Sequence, residues 1–219
     1  MKHGFLTNTI IALAVVFACS VESMGGIFGS KNDTKDIFDM TLDENLECPE
    51  ITNETHAQRI VEYQEEVAQQ LVKKKYLVET MRNGEIVIVT ITADKLFEPN
   101  DTVLASRGKS ALKPLLEYLK NPGFYKMLLV MHSDDTGSEA YTINLTRNRI
   151  NSVCDWMEQN ANMDFVVPYA MGSTDPLEDN DSMEKRRNNR RLEIFLVPEE
   201  GMIAQAKKGK VNINKKIKK

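Results

Sequence analysis

The chain has 219 residues, a net charge of −4, 27% charged side chains, three cysteines and three histidines. That length suits one ordinary domain with accessory segments. The nearly balanced charge gives no electrostatic case for a nucleic-acid partner, and the widely separated histidines and cysteines match no metal-ligand spacing. We therefore expect a protein that binds no nucleic acid, no metal and no cofactor.

Residues 1–19 have the form of an export signal. A short basic start, Met1-Lys2-His3, precedes an uncharged, mostly apolar run from Phe5 to Ala18. The run has the length of a signal-peptide core and is shorter than the ~20 residues that a membrane-spanning helix needs. A small residue followed by Cys19 resembles the end of a bacterial lipobox, where the cysteine thiol receives a lipid. We expect lipidation of Cys19; ordinary signal cleavage, with Cys19 discarded, is the alternative.

The next two segments differ in character. Residues 20–54 are rich in Gly, Ser, Asn, Asp and Glu and have few large apolar side chains, which predicts a flexible linker. In residues 55–75 apolar side chains recur near helical spacing, which predicts a helix. Cys48 lies in the linker and Cys154 on the apolar face of a later helix. A disulfide between them and two separate thiols are both compatible with the sequence.

A hairpin pattern follows. Two segments of strand type, 76–82 and 85–91, flank Asn83-Gly84, a pair that tolerates the positive φ angles of a tight turn. Residues 96–102 predict a loop because Pro99 and Asn100 interrupt the strand pattern. A helix is predicted for residues 110–119, where leucines lie on one side.

The second half of the chain alternates between strands and helices. Met127 to Met131 is an apolar run of strand length, typical of a strand buried on both faces. The further predicted elements are a helix at 139–159, a strand at 165–171, a short helix at 182–189 and a strand at 191–197. This order predicts an α/β (α+β) sandwich in which helices cover one sheet. We place the domain at residues 76–198 and a basic tail at 199–219.

A polar turn stands between the apolar strand and the long helix. Asp134 and Asp135 lie in this turn, and Arg149 lies about 90° from the middle of the apolar stripe of the helix. From that position the arginine can bury its stem while its head reaches a neighbouring strand end. Asp134 could accept from an ammonium group and Arg149 could bind a carboxylate, which together would hold a zwitterion. The alternative is a structural salt bridge between the two.

Three ordered blocks resemble a known family. The blocks are His132-Ser-Asp-Asp-Thr-Gly-Ser138, Leu145-Thr-Arg-Asn-Arg149 and Arg186-Arg-Asn-Asn-Arg-Arg-Leu-Glu-Ile194. They are similar to the OmpA-like C-terminal domain, the peptidoglycan-associated module of OmpA, Pal and MotB proteins, over about residues 76–197. The resemblance implies an OmpA-like β-α-β-α-β core with helices on one face of a mixed sheet, preceded by a hairpin strand and an N-terminal helix.

The resemblance also implies a ligand and a set of site residues. The family binds peptidoglycan non-covalently through the diaminopimelate of the stem peptide. Asp134 matches the aspartate that holds its amino group, Arg149 the arginine that pairs with its carboxylate, and Arg190 another arginine beside the ligand. Three more positions follow from the alignment: Ser133 in place of a threonine, Thr142 in place of an asparagine, and Asn100 in a loop where a family asparagine contacts the ligand.

These inferences predict a binding protein and not an enzyme. We expect a lipid-anchored protein on the periplasmic side of the outer membrane of a Gram-negative bacterium, tying that membrane to peptidoglycan. The helix at 55–75 is a candidate contact for an envelope protein partner. One alternative is a motor or transport component of MotB type, which would need a membrane helix of ~20 apolar residues. Another is an envelope enzyme using Asp134 and Asp135, although adjacent turn residues rarely point to one reacting atom.

Overall fold

A five-stranded sheet organises the part of the chain that the structure, a computed structural model, describes, which is residues 36–211. The strands are β1 Leu77–Met81, β2 Ile86–Thr92, β3 Tyr125–His132, β4 Val166–Gly172 and β5 Arg191–Pro198. The helices are α1 Leu42–Glu47, α2 Glu54–Lys73, α3 Ala93–Leu96, α4 Ser106–Leu112, α5 Glu139–Glu158, α6 Met183–Asn189 and α7 Glu200–Lys207. A 3₁₀ segment, Lys113–Leu119, extends α4. The predicted signal peptide, Cys19 and residues 20–35 of the predicted linker lie outside the described residues.

The strand order is β1-β2-β5-β3-β4. β3 pairs in parallel with β4 and antiparallel with β5, so the sheet is mixed, as expected. A parallel pair needs a long crossover, and α5 provides it. All eight residues of β3 are buried, which confirms the prediction of a central strand.

The main core lies between one face of the sheet and the helices α2, α4, α5 and α7. Ile60 and Leu71 of α2 are fully buried in it. The apolar face of the predicted 55–75 helix therefore packs against the sheet, which leaves its polar face for any partner. Met202 and Ala206 of α7 are also fully buried, so the predicted basic tail contributes a helix to the core.

The opposite face of the sheet carries a smaller apolar cluster that includes Leu128 and Phe195. Ile37, Leu42 and Leu46 pack against it, so residues 37–46 cover this face. The prediction of a flexible linker is wrong for this stretch. Its helix α1 begins with a capping box, in which the Glu44 N–H donates to Thr41 Oγ1 at 3.3 Å and the Thr41 N–H to Glu44 Oε2 at 2.7 Å.

The two cysteines of the described region are free. Cys48 follows α1 near the second face of the sheet, where its carbonyl accepts from Lys126 Nζ at 2.8 Å. Cys154 packs against the main core on the first face. A disulfide between them does not form because the sheet separates them. Burial raises the pKa of the Cys154 thiol to about 11, so it stays protonated as a small core residue.

Arg82 holds the N-terminal segment against the hairpin turn. Its Nη1 donates to the Leu46 and Glu47 carbonyls at 2.7 and 3.2 Å, and its Nη2 donates to the Pro49 carbonyl at 3.0 Å. Glu85 accepts from Nε and Nη2 on the other side, at 3.0 and 2.7 Å. Arg82 has φ +50°, a left-handed conformation that is uncommon for a large side chain. The residue that adopts this turn conformation is therefore the same one that binds the C-terminal end of α1.

We expect Arg82→Ala to loosen residues 36–50 while the sheet stays folded. The change removes the donor of three carbonyl acceptors, and a loss of this type costs about 1–3 kcal/mol. Hydrogen exchange followed by mass spectrometry should show faster exchange in this segment. Arg147→Ala is the matched control because Arg147 is exposed on α5 and its side chain donates to Asn144 at 3.2 Å. Equal exchange in the two variants would contradict the role of Arg82.

Candidate ligand-binding site

Asp134 lies just beyond the end of β3, in the turn that leads to α5. It is 5% exposed, and its Oδ1 accepts from the Thr136 N–H at 3.0 Å, which forms a local turn. Its Oδ2 accepts from Arg190 Nη1 at 2.5 Å. Burial acts to raise the pKa of the Asp134 carboxyl, but the bonds from Arg190 and Thr136 outweigh it, so this pKa lies below its ordinary value. The carboxylate is therefore ionised at neutral pH.

Arg149 is buried on α5, at 4% exposure, and is only partly bonded. Its Nε donates to the Asp101 carbonyl at 2.9 Å, and its guanidinium carbon lies 5.0 Å from the centre of the Phe97 ring. Its Nη1 is buried and has no hydrogen-bond partner among residues 36–211. Burial lowers the pKa of the guanidinium, but an arginine keeps its charge in proteins. Buried polar groups almost always have partners, so this free donor is the most distinctive feature of the site.

Arg190 connects the two sides of the site. It ends α6, where its N–H donates to the Arg186 carbonyl at 3.1 Å. Its Nη1 binds Asp134, while its Nη2 lies 3.9 Å from Asp94 Oδ1. The charges of Arg190 and Asp94 also act on the titration of Arg149, which brings all four groups into one electrostatic cluster. The alternative of a structural salt bridge between Asp134 and Arg149 is wrong because Arg190 is the partner of Asp134.

Three further predicted residues surround this cluster. Asn100 is exposed in the loop that Arg149 holds through Asp101, and it has φ +58°. Ser133 is buried, and its N–H donates to the Gly172 carbonyl at 2.7 Å. Thr142 is fully buried, and its hydroxyl donates to the Glu139 carbonyl at 3.0 Å. In this conformation Asn100 offers an accessible amide, whereas Ser133 and Thr142 make contacts inside the protein.

The two adjacent acids have separate surroundings. Asp135 is exposed, and its Oδ1 lies 3.6 Å from Arg186 Nε, away from the partners of Asp134. They do not converge on one point, as a general acid and base would have to do.

Sequence reasoning missed the contributions of Asp94 and Phe97. Asp94 Oδ2 lies 2.8 Å from Arg187 Nε, in addition to the approach of Asp94 to Arg190. Phe97 is almost fully buried and supports the guanidinium of Arg149 through a cation–π contact. No local pattern predicts these roles because the arginines that Asp94 and Phe97 approach lie far away in the chain and meet them only after folding.

The His, Cys, Asp and Glu side chains of residues 36–211 form no group that could hold a metal ion. None of the helices in this region is long and apolar enough to cross a membrane.

Comparisons with known proteins agree with this architecture. Residues 96–190 match the model of the OmpA family. Over 122 residues, 55% of this chain and 56% of the relative, the chain is 24% identical to Probable lipoprotein YiaD of Escherichia coli (strain K12). The chain spans little more than half the length of the curated relatives it matches.

Two solved structures share the fold. A MotB-like protein from Desulfovibrio vulgaris matches with a TM-score of 0.57 and 18% identity over 65% of this chain and 96% of that chain. The cell wall anchor of the T6SS from Pseudomonas aeruginosa matches with a TM-score of 0.52 and 22% identity over 65% of this chain and 99% of that chain. The residues that match the OmpA family model, 96–190, include Asp134, Arg149 and Arg190, so the candidate site lies inside this match.

Proposed function

We propose that this protein binds peptidoglycan non-covalently through the diaminopimelate of the stem peptide, and that it ties the outer membrane to the cell wall. The observation that carries the proposal is Arg149, a buried cation with a free donor, which shares the neighbouring charge of Arg190 with the buried carboxylate of Asp134. OmpA family domains are in general binding domains and not enzymes.

The carboxylate of the ligand would bind Arg149. The Nε of Arg149 donates to the Asp101 carbonyl, and one face of the guanidinium lies over the Phe97 ring. The Nη groups are the donors that remain for a ligand. A guanidinium can donate two parallel hydrogen bonds to a carboxylate, which gives both strength and a defined orientation. The interaction gains further because the group is shielded from water.

The ammonium group of the ligand would bind Asp134. The Oδ1 of Asp134 accepts from the Thr136 N–H and its Oδ2 accepts from Arg190. An ionised carboxylate has about four acceptor positions, so an ammonium donor can join without displacing Arg190. A ligand that carries both charges on one carbon, as the free end of diaminopimelate does, matches Asp134 and Arg149 together.

Pelleting with purified peptidoglycan of the diaminopimelate type tests the proposal. Wild-type protein in mild detergent should pellet, and free diaminopimelate should compete. Asp134→Asn should weaken binding by about tenfold or more, because a hydrogen bond to a charged group contributes about 1.5–3 kcal/mol. Asp135→Asn is the control, since Asp135 is exposed and points elsewhere. Absence of wild-type pelleting, or equal binding by Asp134→Asn and Asp135→Asn, would contradict the proposal.

The outer-membrane attachment would come from lipid on Cys19. The support is the apolar run that ends at this cysteine, together with the likeness to Probable lipoprotein YiaD. A lipid and a wall-binding domain on one chain make the second attachment effectively intramolecular, which strengthens weak binding. The intact mass of protein isolated from membranes should show acyl chains on Cys19; a mature N-terminus beyond Cys19 would exclude this anchor.

A further inference from the structure

A buried polar network lies behind the candidate site, on the second face of the sheet. It joins His132, the last residue of β3, to Arg191, the first residue of β5, through Glu193. His132 Nε2 lies 3.2 Å from Glu193 Oε2, and Arg191 Nε donates to Glu193 Oε1 at 2.7 Å. His132 and Arg191 are each 1% exposed, and neither is hydrogen-bonded to Asp134 or Arg149.

The network also reaches the loop between β4 and α6. Arg191 Nη1 donates to the Asp175 carbonyl at 3.3 Å, and the Asp175 carboxylate lies 3.6 Å from Arg191 Nη2 and 3.8 Å from His132 Nδ1. The buried Asn189 holds the same loop, since its amide donates to the Glu178 carbonyl at 2.7 Å and accepts from the Glu178 N–H at 3.0 Å. Three separate chain segments therefore meet at one set of polar contacts.

Two of these segments lead directly into the site. His132 stands two residues before Asp134, and Arg191 follows Arg190 in the chain. β3 and β5 are paired up to Met131 and Leu192, so the network lies where the paired strands end and the turns begin. Small shifts at this point would move the two side chains of the Asp134–Arg190 pair relative to each other.

We propose that His132, Glu193 and Arg191 act as positioning residues for the ligand site. They fix the ends of β3 and β5 from the second face, so that Asp134 and Arg190 meet on the first. The inference rests on the proposed function for the identity of the ligand. The stability of the fold does not by itself explain why these three side chains are polar, because apolar side chains of similar volume often stabilise an interior as well as buried charges do. Binding sites in contrast need their groups held to within about 0.5 Å.

The test compares two substitutions of His132 that differ in one hydrogen bond. His132→Gln keeps a donor close to the position of the imidazole Nε2 and can still bind Glu193. His132→Leu fills a similar volume without any donor. We expect His132→Leu to weaken peptidoglycan binding by about tenfold or more and His132→Gln to stay within about threefold of wild type, since 1.4 kcal/mol changes affinity tenfold. Equal affinity of His132→Leu and wild type would overturn the proposal.

Val167→Ala provides the matched control. Val167 belongs to the apolar cluster on the same face and is 3% exposed. Its side chain has no polar atom, so it takes no part in the hydrogen bonds of the network. Its truncation should lower the unfolding temperature without changing the affinity. A loss of affinity in Val167→Ala as large as that in His132→Leu would show that reduced stability explains both, and would also overturn the proposal. If His132→Leu fails to fold, His132→Asn replaces it, because its shorter amide cannot reach Glu193.

A second measurement needs no ligand. The titration of the Asp134 carboxyl, followed by carbon NMR, reports whether Arg190 still binds it. Loss of that bond should raise the pKa of Asp134 in His132→Leu and leave it unchanged in His132→Gln. If wild type fails to bind peptidoglycan, the proposed function is wrong. The titration of Asp134 still tests whether His132 positions Asp134 and Arg190, because it needs no ligand. An unchanged Asp134 titration in His132→Leu would remove that role even if the wall is bound.

Discussion

Arg149→Ala should reduce retention on diaminopimelate-type peptidoglycan by about 100-fold or more, because truncating one partner of a buried charge pair costs about 2–5 kcal/mol. Arg149 has a buried Nη1 without a hydrogen-bond partner in the described part of the chain, so a ligand carboxylate would supply the acceptor that this donor lacks. The same side chain holds the loop around Asp101 and stacks on Phe97. Its removal therefore takes away both the ligand contact and the support of the neighbouring loop.

The effect on folding should be much smaller than the effect on binding. Arg149→Ala removes the hydrogen bond to Asp101 but also relieves the burial of a charge, so we expect the free energy of unfolding to change by about 1 kcal/mol. Arg149→Lys keeps the charge but lacks the fork of donors, and its binding should lie between wild type and Arg149→Ala. Pelleting titrations and denaturant melts measure both quantities.

Arg147→Ala is the control for this experiment. Arg147 lies on the same helix, is exposed, and bonds Asn144 within its own helix. The loss of one positive charge is identical in the two variants, so any general attraction to an anionic polymer is matched. Binding that falls equally in Arg147→Ala and Arg149→Ala would mean that the chain is held by net charge and not by this site.

Glu193→Ala should have the largest effect on stability, a loss of about 3–5 kcal/mol, since it leaves two buried partners without their carboxylate. Those partners are His132, at 3.2 Å, and Arg191, at 2.7 Å. Glu193→Gln keeps an acceptor for Arg191 and should therefore lose less stability than Glu193→Ala. Glu158→Ala, at the exposed end of α5, is the control and should leave the denaturation midpoint unchanged.

The loss of folding stability in Glu193→Ala should depend on pH in a defined direction. Burial acts to raise the pKa of Glu193, but the hydrogen bond from His132 and the charge of Arg191 outweigh it, so the folded-state pKa lies below the ordinary value. A carboxyl with a depressed pKa contributes stability above its ordinary pKa, and that contribution disappears as pH falls through the folded-state pKa. Wild type and Glu193→Ala should therefore differ most at neutral pH and converge in acid. A constant difference down to strongly acidic pH would contradict the assignment.

Much of this protein can be predicted from local patterns in its sequence. The wholly apolar run at Met127–Met131 identifies β3 because a strand paired on both edges and covered on both faces has no polar side. The Asn83-Gly84 pair identifies the hairpin. The resemblance of three motif blocks to a known family identifies the domain, and it implies the candidate residues Asp134, Arg149 and Arg190. Periodicity and motif spacing depend on neighbours in the chain, so they can be recognised without the fold.

The predicted linker shows where such patterns are insufficient. Residues 37–46 lie in a segment, 20–54, whose overall composition is typical of a tether, yet their apolar side chains Ile37, Leu42 and Leu46 cover the second face of the sheet. The capping box at Thr41 and Glu44 was a local signal for α1. The apolar surface that this segment covers, by contrast, is assembled from β2, β3, β4 and β5 and exists only in the folded sheet.

Only the tertiary structure decided which charges meet. The sequence by itself placed Asp134 at a strand end and Arg149 on the next helix, and it left a direct pair between them open. The folded chain brings Arg190, 56 residues away, onto Asp134 and leaves Arg149 with a free donor. The physical reason is that an ion pair is decided by where the ends of β3, β5 and α6 meet in space. That meeting depends on the packing of the whole sheet and not on the spacing of residues along the chain.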